Sequence, residues 1–251
     1  MAMGIRRRQK INTRAKSVIT VNDNFGVVES YKAIRTNLSF ALTKKGCKVV
    51  MISSTMPGEG KSTTVVNLGV AISQNNTRVL IVDCDLRKAR THRFFEIKND
   101  NGVSNVLCNM CVIDDAIDHT EYENLDIMTA GTLPPNPGEL LASEAMAEMI
   151  HTLEERYDYI LIDTPPINVV ADALSLTKLV DGVVLIVRQG QTTHPNVKDA
   201  LSSLEFAGAK MLGVVLNGSY DTSGFGSSKY GNRYGNRYGN AYAYGERTSN
   251  H

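Results

Sequence analysis

The sequence has 251 residues, 42% of them hydrophobic, with 27 Lys and Arg against 26 Asp and Glu, a formal net charge of +1. That length, less a C-terminal tail of roughly 30 residues, fits one domain with a substantial core. The near-neutral balance excludes a whole-protein signature of nucleic-acid binding, and no apolar run approaches the about 18 residues that cross a membrane.

Residues 1–26 form a basic arm that opens "MAMGIRRRQKINTRAK". It lacks the apolar segment of a signal peptide, so a solvated arm in a cytoplasmic protein is expected, with weak attraction to an anionic membrane surface as its functional option. Residues 27–219 read as the folded domain. Val28, Tyr31, Ile34, Leu38 and Leu42 recur at steps of three and four, which predicts a helix over 27–46 with Gly46 as its stop. Apolar strands follow at 47–54, 77–83, 125–131, 157–163, 182–188 and 212–218. Helices are expected at 61–74, 139–156, 171–180 and 195–208. The strands are runs of Val, Ile and Leu without polar alternation, the pattern of a mostly parallel α/β sheet covered on both faces. Ligands of such sheets bind at the carboxyl ends of the strands.

Three motifs fall at those ends. The loop "TMPGEGKST" (55–63) ends in Gly-Lys-Ser, as a P-loop does, with Thr55 where the first Gly would stand. Gly58, Glu59, Gly60, Lys61, Ser62 and Thr63 are therefore the candidate phosphate-binding residues. Lys61 would reach the β- and γ-phosphates of ATP, and the Ser62 hydroxyl would ligate Mg²⁺. The strand "VLIVDCDLR" delivers Asp83, Asp85 and Arg87; "YILIDTPP" delivers Asp163. Carboxylates at adjacent strand ends beside a phosphate loop suit a hard cation. One Asp closing an apolar strand also suits a helix N-cap; three such elements in order point to nucleotide binding.

The P-loop, the D-x-D-x-R strand and the I-D-T-P-P strand together resemble those of the bacterial tyrosine kinases of capsule and exopolysaccharide synthesis. "ESYKAIRTNL", "PPNPGELL" and the terminal tyrosines extend the resemblance over nearly the whole chain. It implies a P-loop NTPase-type fold and an ATP- and Mg²⁺-dependent protein-tyrosine kinase that phosphorylates its own tail. It further implies a ring-shaped homo-oligomer, a separate transmembrane activator that holds the chain at the inner face of the membrane, and a role in polysaccharide synthesis or export. In the family's oligomerisation pattern E-x-x-R-x-x-R this chain offers Glu29, Lys32 and Arg35, and Lys lacks the planar fork of Arg. Asn217 falls where relatives contact adenine; a strand-ending Asn in a turn is the competing reading. A tyrosine hydroxyl titrates near 10, so a nearby carboxylate would help remove its proton. Asp83 is the candidate for this, with Lys61 and Asp85 as the other catalytic candidates; Ser62, Asp83, Asp85 and Asp163 form the candidate Mg²⁺ set, in which Asp85 and Asp163 would hold the ion directly or through water.

Residues 220–251 read as a disordered tail. Tyr230, Tyr234, Tyr238 and Tyr242 keep a four-residue step and Tyr244 follows, in a segment rich in Gly and Asn that suits neither helix nor strand. These are the candidate phosphoacceptors, and other protein tyrosines are further substrates. Partition and division-site ATPases share the three motifs, but they carry an early lysine in the loop where this chain has Met56, and they lack such a tail; an ATPase switch is the alternative reading. Nucleic acid is not an expected partner, although Arg and Tyr interleaved with Gly can contact it. Cys108 and Cys111 form a lone C-x-x-C without the second pair that zinc needs, and are read as ordinary thiols.

Overall fold

The computed structural model describes Val18 and residues 25–218. The basic arm before Val18 and the tyrosine-rich tail lie outside the described residues.

Seven strands form one sheet: β1 (Lys48–Ser54), β2 (Val79–Asp83), β3 (Ile117–His119), β4 (Leu125–Met128), β5 (Tyr159–Asp163), β6 (Gly182–Arg188) and β7 (Met211–Asn217), in the spatial order β3-β4-β2-β5-β1-β6-β7. All neighbours are parallel except β3 and β4. Alternation along each strand serves two cores. On one face Val49, Met51, Leu80, Val82, Ile160 and Ile162 pack with residues of three helices: α3 (Val103–Leu107), α5 (Glu144–Glu154) and α7 (His194–Phe206). On the other, Val50, Ile52, Ile81, Leu161 and Ile186 meet α1 (Phe25–Ala41) and α2 (Lys61–Ser73). Nearly all of these side chains are sealed from solvent, which is why the strands carry no polar alternation.

The sequence reading needs correction at four places. The first helix ends at Ala41, before Gly46, whose φ of +82° instead turns the chain into β1. The single helix expected over 139–156 is two, α4 (Pro137–Leu141) and α5, because the Ser143 hydroxyl caps a new start by accepting from the Met146 N–H at 3.3 Å. Over 171–180 only α6 (Asp172–Ser175) is α-helical; a 3₁₀ turn (Leu176–Leu179) completes the segment. Between β2 and β4 the chain forms α3, the edge strand β3 and two 3₁₀ turns (Thr91–Arg93, Ile113–Ala116), all too short for periodicity to announce.

Candidate functional site

The apolar run of β1 ends at Ser54, and the chain then needs a reversal tight enough to start α2 only seven residues later. Gly58 and Gly60 supply it with φ of +86° and +95°, values that side chains resist. Lys61, Ser62 and Thr63 occupy the first turn of α2, where unpaired N–H groups and the positive end of the helix dipole favour anions. They open, with Gly58 and Gly60, onto a cavity of about 370 Å³.

The remaining walls follow from the strand order. In register, Asp83 of β2 lies across from Asp163 of β5, so the two carboxyl ends stand side by side next to the loop after β1. Asp85 and Arg87 line the cavity from the β2 side, and Pro165, Pro166, Val169 and Val170 form an apolar wall after β5. Arg87 is held in place by Asp172, with Nε and Nη2 donating at 2.6 and 3.1 Å. Neither the apolar wall nor Asp172 was singled out in the sequence. The Pro-Pro pair was the available signal for the wall; the pairing partner of Arg87, 85 residues away, left none.

Lys61 sits at the centre. Its ammonium lies 2.5 Å from Asp163 Oδ1, 3.6 Å from Asp85 Oδ2 and 3.4 Å from the Ser62 hydroxyl. Burial works against that charge, yet Asp163 and Asp85 hold its pKa above the ordinary lysine value. Burial also pushes the Asp163 carboxyl up to about 6, with Asp83 adding to the rise and Lys61 opposing it. One ammonium thus faces three carboxylates, and these buried charges depend on one another, so removing any one of them is costly.

Asp83 and Asp85 differ in what their oxygens do. The Asp83 carboxylate is fully buried and accepts four hydrogen bonds, from the N–H groups of Asp85, Arg90 and Thr91 and from the Thr91 hydroxyl at 2.6 Å. Asp85 accepts from the Lys88 N–H and otherwise faces the cavity and Lys61. Asp83 thus anchors the loop that presents Asp85 and Arg87.

A divalent cation fits this arrangement. The Ser62 hydroxyl and the carboxylates of Asp85 and Asp163 already surround one positive charge, the lysine ammonium. Among the described residues, Asp163 Oδ2 is buried with no hydrogen-bond partner. Among the described residues no three or more His, Cys, Asp or Glu side chains converge as a ready-made metal cage. Mg²⁺ is suited to such a site, since it keeps waters and takes substrate oxygens beside one or two carboxylates.

The other predicted residues are placed as follows. Glu59 is buried and stands outside the cavity lining; Asn217 donates through its side-chain amide to Glu59 O and to the Thr64 hydroxyl, both at 3.0 Å. On α1, Glu29 and Lys32 pair with each other at 2.7 Å, while Arg35 donates to Ala71 O at 2.6 Å and so fastens α1 to the last turn of α2. The tail tyrosines lie outside the described residues. Cys47 and Cys84 are buried thiols, and burial pushes Cys47 up to about 12; Cys108 is exposed and Cys111 half-buried, all four free. No helix among the described residues is long and apolar enough to cross a membrane.

Comparison with known proteins agrees with this geometry. Residues 47–195 match the model of an AAA domain family. The chain is 41% identical to the tyrosine-protein kinase YwqD of Bacillus subtilis, over 76% of this chain and 80% of that one. It is 39% identical to the putative tyrosine-protein kinase CapB of Staphylococcus aureus, over 76% and 84%. The solved kinase domain of Escherichia coli tyrosine kinase ETK superposes with a TM-score of 0.79 at 31% identity, covering 91% of this chain and 89% of that one. The septum site-determining protein MinD of Pyrococcus horikoshii, solved with Mg-ADP, is more distant, with a TM-score of 0.59 at 27% identity over 68% and 70%. A P-loop sheet with two acidic strand ends and these relatives makes one assignment: the chain belongs to the bacterial tyrosine-protein kinase family.

Proposed function

We propose that this chain transfers the γ-phosphoryl group of Mg²⁺-bound ATP to tyrosine hydroxyls, those of its own C-terminal cluster among them, and that this regulates capsular or exopolysaccharide synthesis or export. The observation that carries the reading is the convergence of Lys61, Ser62, Asp85 and Asp163 on one point at the mouth of a glycine-turned helix N-terminus. In this reading the N–H groups of the loop hold the phosphate oxygens, and Lys61 exchanges its carboxylate partners for the β- and γ-phosphates. Ser62 and Asp163 would hold Mg²⁺, directly or through water; the ion supplies charge neutralisation of the transferred group. Asp85 is assigned as the carboxylate that takes the tyrosine proton, since it faces the cavity, whereas the oxygens of Asp83 already accept four bonds. Asn217 is the residue proposed for the adenine side, its amide held by Glu59 O and the Thr64 hydroxyl.

Tyr230, Tyr234, Tyr238, Tyr242 and Tyr244 are the proposed acceptors. From Asn217 to Tyr230 an extended chain spans about 45 Å, and such tethering gives effective concentrations of order mM. The partners in this reading are a transmembrane activator at its cytoplasmic end and further copies of the chain in a ring. For Arg35 to serve a ring contact as well, it would have to share its guanidinium with Ala71 O. Phosphates, each adding about −1.5 to −2 charge, would turn the basic tail acidic and weaken assembly.

Intact-protein mass spectrometry after incubation with Mg²⁺ and ATP tests the reading, beside Lys61→Met. Multiple phosphoryl additions mapped to residues 230–244 and absent from the variant are expected. ATP turnover without any tyrosine modification, with the activator's cytoplasmic segment added, would overturn it in favour of an ATPase switch.

A further inference from the structure

The loop that starts α2 departs from the usual P-loop in having Thr55 where the first Gly would be, and it carries a buried acid, Glu59, directly before Gly60 and Lys61. The two features meet. Glu59 Oε2 accepts from the main-chain N–H groups of Thr55 and Met56 at 2.8 and 3.0 Å. Its Oε1 accepts from the Thr55 hydroxyl at 2.7 Å and from the Thr192 hydroxyl at 2.5 Å. No cation pairs with this carboxylate among the described residues; four uncharged donors satisfy its oxygens instead.

The Thr192 contact leaves the loop altogether, since Thr192 belongs to the segment between β6 and α7 and its hydroxyl accepts from the Arg188 N–H at 2.7 Å. That segment and the last residue of β6 reach the two preceding residues of the loop. Gln191 Nε2 donates to Pro57 O at 3.1 Å and Arg188 Nη1 to Gly58 O at 3.3 Å. Three successive residues, 57 to 59, are therefore each held by side chains of 188–192. Asn217 closes the arrangement from β7: a Cβ on Gly60 would lie 2.6 Å from its amide nitrogen.

We propose that Glu59 is a positioning residue that sets the phosphate loop for nucleotide, and that Thr192 couples the loop to the segment following β6. A loop of glycines loses conformational freedom when it binds phosphate. Glu59 removes much of that freedom beforehand by fixing the entry limb from within, so the N–H groups beyond it face the cavity without reorganisation. Thr55 is then a functional replacement for Gly, because its hydroxyl is one of the four donors. The inference uses only the nucleotide-binding part of the proposed function.

The test is binding of a fluorescent N-methylanthraniloyl-ADP, with Mg²⁺, to the full chain, which needs no phosphoryl transfer. Thr192→Val keeps the shape and deletes the donor to Glu59 together with the acceptor of the Arg188 N–H; its Kd is expected to rise about tenfold, since hydrogen bonds to charged groups are the stronger ones, with a fall of at most a few degrees in the thermal midpoint without nucleotide. Glu59→Ala is expected to weaken binding about a hundredfold. Glu59→Gln should recover part of that loss, because its carbonyl can face the two N–H groups while the hydroxyls turn to accept from its amide. Unchanged Kd in Thr192→Val and Glu59→Gln overturns the proposal, as does a fall in midpoint without loss of affinity, which marks a purely structural strut. Binding by the wild type without tyrosine phosphorylation would count against the kinase reading and leave this one standing; no binding by the wild type removes both.

Discussion

The two ends of the same sheet use the same residue types to opposite purpose. At the amino ends, Lys44 pairs with Glu154 and Asp181 at 3.1 and 3.0 Å, and Arg78 with Asp158 at 3.0 Å. At the carboxyl ends, Lys61 pairs with Asp163 and Asp85. The Lys44 side chain is 43% exposed and that of Lys61 is 8% exposed. Water screens the first set, so those pairs stitch the sheet's rim weakly. It reaches the second far less, so each charge there depends on its neighbours and any ligand that rearranges them is strongly felt. Distance alone does not distinguish a staple from a reactive site; burial does.

The sharpest way to break this comparison is to remove the buried ammonium. Lys61→Met should lower phosphoryl transfer by about a thousandfold or more, from loss of charge stabilisation. It should also cost about 3 kcal/mol of stability at pH 7.5, because Asp163 is left buried and unpaired. The second loss should shrink at pH 5, where that carboxyl takes up a proton. Urea unfolding at the two pH values reads the difference, and an equal cost at both would show that Asp163 is not the group left stranded.

The next largest effect separates the two acids of β2. Asp85→Asn should lower the transfer rate by about 10²- to 10⁴-fold, the range for a positioned acid or base, with little change in thermal midpoint. Asp83→Asn should instead lower the midpoint by several degrees, because four donors lose a charged acceptor. Rates and melting curves on both variants decide the matter. A reversed pattern would return the proton-accepting role to Asp83.

How much of this contrast the sequence carried depends on range. The phosphate loop, the two acidic strand ends and six of the strands were legible because each is a contiguous signal: glycine spacing, an apolar run, a terminal Asp. The roles of Asp83 and Asp85 were not, since what separates them is Thr91 and the turn at 90–91, which fold back on Asp83. Glu59 was legible as a loop residue but not as a brace, because its outside partner, Thr192, lies 133 positions away. The split of α4 from α5 was present in the sequence as Ser143, a capping residue inside an otherwise helical run.

A pH titration sharpens the comparison further, with a smaller effect. Burial raises Asp163 from 3.8 to about 6 in the folded chain. Between those values the folded state binds more proton than the unfolded one, so this group's contribution to stability is full below about 4 and is lost as pH rises through about 6. Mg²⁺ binding runs the other way, since a protonated carboxyl holds no cation. Its affinity should be flat above pH 7 and weaken by up to about tenfold per unit below 6, as calorimetric titration with a non-hydrolysable ATP analogue would show. An affinity that stays flat down to pH 5 would remove Asp163 from the cation's surroundings.

The smallest expected effect belongs to the amino ends, and it is the control that gives the others meaning. Lys44→Ala deletes both of its ion pairs, yet the loss should be about 0.5 kcal/mol once solvent screening is allowed for, a shift of about 1–2 °C in a domain of this size. Part of the reason is local: Asp181 keeps its bond from the Val49 N–H at 2.8 Å, so its carboxylate is not orphaned when the lysine goes. Phosphoryl transfer should be unaltered, and about 0.5 M salt should erase most of the stability difference, because the Debye length then falls well below 8 Å. Calorimetric melts of both proteins at low and high salt provide the check. A Lys44→Ala variant that lost several kcal/mol, independent of salt, would mean that the two ends of the sheet are not different in kind, and that the cost of removing Lys61 reflects charge deletion in general rather than the burial of the site.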